Sequence, residues 1–190
     1  MAPRPTLRVI AGALKGRRLE TPTWEGLRPT SDRLRETLFN VLAPRLDGAR
    51  VLDAYAGTGA VGIEALSRGA AHVTFVEQDR RAQQLIEANL RRSGVAESPE
   101  LGDRYAIIRA GFKVAAGQLD TPFDVLFLDP PYGAAELAEA LTIAAPLAAA
   151  GALVVIEHAT RDAAPETIVT LRRRRDLVQG DSALAFYTHE

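Results

Sequence analysis

Residues 50–59 read Arg50-Val51-Leu52-Asp53-Ala54-Tyr55-Ala56-Gly57-Thr58-Gly59, and this stretch decides the fold. A short apolar run ends in an acid, a glycine-rich turn follows, and a helical pattern opens near Ala60. Glycines at such a turn let the backbone approach a ligand closely. The same phrasing recurs downstream. Val73-Thr74-Phe75-Val76 closes on Glu77, and the run from Val125 to Leu128 closes on Asp129. Strands are predicted over 50–55, 72–77, 105–109, 123–128 and 152–157, with helices over 60–68, 79–92, 112–118 and 134–148 between them. A further helix is expected over 163–172, and the tail, 176–178 with 183–188, is expected to add a final antiparallel pair. Strands alternating with helices predict an α/β architecture, a doubly wound, mostly parallel, seven-stranded sheet with helices on both faces. Ligands of such sheets bind beyond the carboxyl ends of the strands, near the point where the strand order reverses. Asp53, Glu77 and Asp129 all fall at such ends.

The third of these runs continues as Phe127-Leu128-Asp129-Pro130-Pro131-Tyr132. Two prolines remove two backbone donors and fix two φ angles, so the chain is stiff there. Asp129 and the Pro130 carbonyl offer acceptors without a competing N–H, and Tyr132 offers a flat face. A planar amino group, such as the exocyclic NH₂ of a base, needs that set: acceptors for its hydrogens and a stacking partner for its ring.

Gly57-Thr58-Gly59-Ala60-Val61-Gly62 is also a literal G-x-G-x-x-G with Glu77 about 20 residues on, the dinucleotide fingerprint. Two features favour S-adenosylmethionine over NAD. Asp53 sits just before the turn, where a carboxylate repels a pyrophosphate but can hold a cationic amino-acid moiety, directly or through water. The Asp-Pro-Pro-Tyr element has no task in hydride transfer. Glu77 can accept both hydroxyls of a ribose. The bland readings are a helix cap for Asp53 and a solvated strand end for Glu77.

The chain has 190 residues, enough for one domain with a sizeable core and a small appendage. With 47% hydrophobic and 25% charged residues it reads as an ordinary soluble protein. It has no cysteine, which excludes disulfides and Cys-ligated zinc and fits a reducing, cytoplasmic compartment. His72, His158 and His189 have no metal-ligand spacing, so no metal is expected. No apolar run is long enough to span a bilayer, which takes about 20 residues, and the first residues carry no signal-peptide pattern. The chain is expected to act as a monomer.

Net charge is −1 but uneven. Residues 1–35 hold eight Lys and Arg against three acids, a net of +5; the remainder holds 15 against 21, a net of −6. A basic arm on an acidic body suggests a polyanionic partner, a nucleic acid. Two short strands, 7–11 and 17–21, around Gly12 and Gly16 predict a β-hairpin. Ser31 or Thr30 is placed to cap a helix running to about Leu42. Lys15, Arg17 and Arg18 are the leading phosphate contacts, with Arg8, Arg28, Arg33 and Arg35 beside them. Arg172-Arg173-Arg174-Arg175 is read as a helix end.

Taken together these segments resemble the bacterial RsmD-type 16S rRNA guanine-N2 methyltransferases, on the class I S-adenosylmethionine fold. The resemblance covers nearly the whole chain. It is carried by Arg8-Val9-Ile10-Ala11-Gly12 with Lys15-Gly16-Arg17-Arg18-Leu19, and by Arg28-Pro29-Thr30-Ser31-Asp32-Arg33-Leu34-Arg35-Glu36. Asp53 to Gly59, Gly62-Ile63-Glu64-Ala65-Leu66 and Asp129-Pro130-Pro131-Tyr132 complete it. The Asp-Pro-Pro-aromatic loop alone is shared with DNA adenine and protein glutamine methyltransferases; the Arg-Pro-Thr-x-Asp-Arg segment makes the assignment specific. The resemblance implies a basic N-terminal extension, 1–46, that meets RNA, and a methyltransferase domain, 47–190. It implies methyl transfer to the N2 amino group of a guanine in 16S rRNA of the small ribosomal subunit. The catalytic set would be Asp129, Pro130, Pro131 and Tyr132. The cofactor set would be Asp53, Tyr55, Gly57, Gly59, Glu77, Gly111, Phe112 and Asp129. One departure concerns Ala110-Gly111-Phe112, where class I enzymes often carry an Asp or Asn against the adenine amino group. Here backbone amides or apolar packing must serve instead.

Overall fold

A computed structural model describes residues 7–25, 30–131 and 133–190. The positions read above as Arg28 and Tyr132 lie outside the described residues. Five parallel strands form the body of one sheet: β1 (Arg50–Asp53), β2 (His72–Val76), β3 (Tyr105–Ile108), β4 (Phe123–Leu128) and β5 (Ala148–Ala159). Three antiparallel strands extend it: β6 (Thr167–Ile168), β7 (Leu171–Gln179) and β8 (Ser182–His189). The order is β3-β2-β1-β4-β5-β8-β7-β6. It reverses between β1 and β4, and that is the switch point.

The doubly wound arrangement follows from strands that are apolar on both sides. Val51, Val73, Phe75, Val125, Phe127, Val155 and Phe186 point into one apolar cluster, and Leu52, Val76, Leu126, Leu128, Ile156 and Tyr187 into the other. Helices α1 (Asp32–Leu46), α2 (Ala60–Ser67) and α3 (Arg80–Arg92) cover the first face. Helices α4 (Phe112–Ala116) and α5 (Ala134–Ala144) cover the second. Both faces of β1, β2, β4 and the second half of β5 are therefore largely dry, as the apolar runs require, while the edge strand β3 is only half-buried.

Local chemistry sets the boundaries. Ser31 caps α1, its hydroxyl accepting from the Leu34 N–H at 3.2 Å, and Asp79 caps α3 in the same way from Arg81. α5 stops short of the expected residue 148. Its chain tightens into a 3-10 turn at Ala145–Leu147, where Pro146 has no N–H for an α-helical bond. Residues 7–19 form a hairpin, but not the two strands expected over 7–11 and 17–21: a single antiparallel bridge joins Arg8 and Arg18, with Val9 N–H donating to Arg17 O at 2.9 Å and Leu19 N–H to Leu7 O at 2.8 Å. Leu7, Val9, Leu14 and Leu19 join the α1 leucines in the same apolar cluster as the sheet.

The segment 163–172 is not a helix. It contains β6, a turn in which Val169 takes φ 53°, and the start of β7, so the sheet has eight strands rather than seven. The run Thr167-Ile168-Val169-Thr170 is β-branched throughout, which disfavours helix and suits strand. Arg172 to Arg175 accordingly lie within β7 and not at a helix end. Arg173 pairs with Asp176, and Arg172 with Glu190. β7 runs parallel to β5, and the register sets Arg175 in one row with Phe186, Val155, Phe127 and Asp53, so β4, β5 and β8 stand between these arginines and Asp53.

Candidate active site at the carboxyl edge of the sheet

The β1–α2 turn is fastened to both neighbouring strands. Ala54 N–H donates to Phe127 O at 3.0 Å and Ala56 N–H to Val76 O at 2.9 Å. Gly57 and Gly59 both take positive φ, 54° and 74°, which fits glycine. Gly62, the last glycine of the fingerprint, serves packing. A Cβ there would lie 2.2 Å from the Phe75 ring, so α2 could not rest on β2.

Asp53 ends β1 and is buried; its Oδ2 accepts from Gly62 N–H at 3.0 Å, and no cation pairs with it among the described residues. Burial pushes its carboxyl up to about 7, against the lowering effect of the Gly62 bond and with a further upward push from Glu77. A buried acid held in this way is matched to a cationic ligand group. Glu77, just after β2, accepts from Gly57 N–H at 2.9 Å through one oxygen and from Asp79 N–H at 2.8 Å through the other. A carboxylate has about four lone-pair sites, so two remain for the hydroxyls of a ribose. Tyr55 meets Phe112 edge to face with ring centroids 5.6 Å apart, and Gly111 forms the amino end of α4 beside them. Burial, and then Glu139, raise the Tyr55 hydroxyl to about 12. The backbone and rings at 110–112 thus stand where a side-chain acid was missing. These residues fit S-adenosylmethionine: an acid for its ammonium, an acid for its ribose, and an apolar edge for its adenine.

Asp129 follows β4. It lines, together with Asp53, Tyr55, Gly57, Thr58 and Thr30, a narrow cleft of about 30 Å³ over the glycine turn. On its other side it lines a wider cavity of about 630 Å³, with Thr30, Glu157, Arg161 and the β7–β8 tip at Gln179 to Ser182. Asp129 and Thr30 are common to both spaces. Burial holds the Asp129 carboxyl well above the usual carboxylate range, with Glu157 and then Asp53 adding to the shift. Pro130 is buried beside it and Pro131 is exposed.

The structure therefore brings Asp53, Tyr55, Gly57, Gly59, Glu77, Gly111, Phe112, Asp129 and Pro130 to one edge of the sheet. It also brings there Thr30, which the sequence offered only as a helix cap and as part of the Arg-Pro-Thr segment, and Glu157, which no motif singled out. Glu157 had a signal: it follows the apolar run Leu153 to Ile156 as Asp53, Glu77 and Asp129 follow theirs.

Of the basic residues, Arg8, Lys15 and Arg33 line a separate cavity of about 370 Å³ between the hairpin and α1, and Arg17 and Arg18 are exposed on the hairpin. Arg35 is a correction. It is fully buried, donating to Asp32 at 2.6 Å and to the Arg8 carbonyl at 2.8 Å, with Glu64 at 3.8 Å. It cannot reach RNA from there. Its α1 position repeats with the buried leucines Leu34, Leu38 and Leu42, a pattern that a charge-based reading passes over. Among the described residues no group of His, Asp and Glu is arranged to hold a metal ion, and no helix is long and apolar enough to cross a membrane.

The fold and this edge define a class I S-adenosylmethionine-dependent methyltransferase. The model of the family described as conserved hypothetical protein 95 matches residues 7–188, and the chain belongs to that family, the RsmD-type methyltransferases. The chain is 36% identical over 188 residues to ribosomal RNA small subunit methyltransferase D of Escherichia coli (strain K12), covering 97% of this chain and 90% of that one. Among solved structures it superposes on the Escherichia coli protein yhhF with a TM-score of 0.82 at 35% identity, over 97% and 98% of the two chains. A hypothetical protein of Thermus thermophilus gives 0.74 at 34%, over 94% and 97%.

Proposed function

We propose that this protein methylates 16S rRNA, at the exocyclic N2 amino group of one guanine, of the guanine-966 type. The observation that carries the reading is the position of Asp129: one carboxylate, followed by Pro130 and Pro131, stands between the narrow cleft over the glycine turn and a wider cavity roomy enough to admit a base. The relatives' name supports rRNA as the substrate.

S-adenosylmethionine supplies an electrophilic methyl group on a sulfonium. The protein's own residues do the rest. The amino lone pair of guanine is delocalised into the ring and is a poor nucleophile. Asp129 and the Pro130 carbonyl accept its two hydrogens, raise its electron density and hold it in line, and such positioning carries much of the rate. Transfer would make the N–C bond as the methyl–sulfur bond breaks and S-adenosylhomocysteine leaves, and Asp129 would take the proton that the alkylated nitrogen sheds. A carboxyl whose proton affinity is raised by burial and by Glu157 is a better acceptor than an ordinary one. Tyr132 is assigned the stacking face on its place in the sequence. The base must be unstacked to enter. Arg8, Lys15, Arg17, Arg18, Arg28 and Arg33 are assigned to phosphates, where they position the RNA without reading it.

The test is transfer of labelled methyl to small ribosomal subunits from cells lacking this protein, followed by digestion and identification of nucleosides by mass. N2-methylguanosine formed by the intact protein and not by Asp129→Ala is the expected result. Cofactor binding without label in rRNA would overturn the reading and move the search to DNA adenine or protein glutamine amides.

A further inference from the structure

Asp129 does not stand alone at the mouth of the wider cavity. β4 and β5 run parallel in the register Phe127 to Val155 and Leu128 to Ile156, so the next step sets Glu157 beside Asp129. Side chains alternate along both strands. Phe127 and Val155 enter the α1-side cluster and Leu128 and Ile156 the other, so Asp129 and Glu157 point to the same, α1-covered side. Both line the 630 Å³ cavity. Glu157 is buried, and the Thr30 hydroxyl donates to its Oε2 at 3.2 Å, which fixes the direction of the carboxyl. Two acids side by side at this cavity repel one another, and Glu157 adds to the upward shift that burial gives the Asp129 carboxyl. Such a pair is stable against a ligand that brings two adjacent donors.

We infer that Glu157 is a specificity-determining residue that accepts the N1–H of the target guanine while Asp129 accepts at N2. The inference rests on the guanine reading above. The Watson–Crick edge of guanine carries N1–H and N2–H side by side, two neighbouring donors for two neighbouring carboxylates. Adenine presents a donor beside a bare N1 lone pair, and a carboxylate facing that lone pair is unpaired and repelled. Asp129 alone suits any planar amino group; the second acid is what separates guanine from the others. Thr30 would hold Glu157 in line from α1's side.

The experiment uses small subunits reconstituted with 16S rRNA that carries either guanine or 2-aminopurine at the modified position. 2-Aminopurine keeps the N2 amino group but has a lone pair at N1 in place of the N–H. The intact protein should prefer guanine by roughly a hundredfold in kcat/KM or more, since a site built around a donor rejects an analogue that lacks it. Glu157→Gln puts an amide there, whose N–H can face the N1 lone pair, and the preference should narrow by about tenfold or more. An unchanged preference in Glu157→Gln overturns the inference, because a purely structural role slows both substrates alike. If the intact protein fails to methylate guanine at all, the guanine reading falls instead. Should Glu157→Gln lose cofactor binding, and so its fold, Glu157→Asp decides. It retracts the carboxylate by one methylene and should lower kcat/KM on guanine by about tenfold with cofactor affinity intact; an undiminished kcat/KM overturns the inference as well.

Discussion

Carboxylates are buried in two places on the α1 side of the sheet, and the two places are built in opposite ways. Where the hairpin, α1 and α2 meet, Glu64 is fully buried and held through both oxygens. It accepts from Ile10 N–H at 2.7 Å, Ala11 N–H at 2.9 Å and Arg68 Nε at 2.7 Å, with Arg35 at 3.8 Å. At the carboxyl edge, Asp53, Asp129 and Glu157 stand on neighbouring strands, and neither Asp53 nor Asp129 meets a cation among the described residues. The first arrangement holds the chain together. The second raises the proton affinity of Asp53 and Asp129 and stays poised for positive or donor groups brought from outside. A buried acid whose counter-charges come from its own chain is structure; one whose neighbours are other acids is chemistry.

Breaking the edge should cost activity and little else. Asp129→Ala should lower methyl transfer by about a thousandfold, while leaving cofactor affinity within a few fold and thermal stability unchanged or improved, since a buried like charge is removed. Single-turnover transfer and calorimetry on the same sample would check both halves. A large fall in stability would show that Asp129 belongs with Glu64.

Breaking the junction should do the reverse. Glu64→Gln takes the carboxylate from Arg68 at 2.7 Å, leaves Arg35 with Asp32 as its one acid and weakens the hold on Ile10 and Ala11, which should cost about 3 kcal/mol. For a chain of this length that lowers the unfolding midpoint by roughly 10 °C. Amide exchange should rise first over residues 8–19, the hairpin that Glu64 and Ser67 fasten to α2. Cofactor binding to the folded fraction should be retained.

Asp53 gives the comparison a sign. Its carboxyl is raised from 3.8 to about 7, so the folded apo protein holds this proton more tightly than the unfolded chain does. Its contribution to stability is therefore present below pH 4 and lost as pH rises through 7, opposite to an ordinary salt-bridged acid. A cationic ligand needs the ionised form, so S-adenosylmethionine should bind more tightly as pH rises to 7 and level off above. Below that point affinity should fall by at most about tenfold per pH unit. Asp53→Asn should weaken binding by about tenfold to a hundredfold and flatten this part of both profiles, as titration calorimetry and melting at several pH values would show.

Much of this is legible in the sequence because strands announce themselves by apolar runs and the acids by their place at the ends of those runs. Asp53, Glu77 and Asp129 need no structure to be found. The segment 163–172 misleads because its length suits a helix, while the choice for strand is made by pairing with β7 and β8 and by the bond from Tyr187 Oη to the Pro165 carbonyl. Arg35 misleads because a charge count treats every arginine as solvated, whereas Asp32 pairs with it at 2.6 Å and the hairpin's Arg8 carbonyl, 27 positions away, closes over it at 2.8 Å. Glu157 closes its apolar run as the other acids do, but its partner is not legible: the register of β4 against β5 is what sets it beside Asp129.

The smallest effect expected concerns the hairpin's outer side. Arg17 and Arg18 are exposed, and neither forms an ion pair with a described residue. The loop that carries them is nonetheless held firmly: Ala13 and Leu14 N–H bond to Ser67, and a Cβ on Gly12 would fall 1.9 Å from the Ser67 carbonyl oxygen. Charges on a fixed platform lose little entropy on meeting a phosphate, yet each is screened and replaceable. Arg17→Ala and Arg18→Ala should therefore leave folding and cofactor affinity unchanged, weaken RNA binding only a few fold, and each reduce the slope of log K against log salt by about 1. Arg35→Ala should alter stability and not that slope. If Arg35→Ala changed the slope and Arg17→Ala did not, the division between buried and exposed arginines would have been drawn in the wrong place.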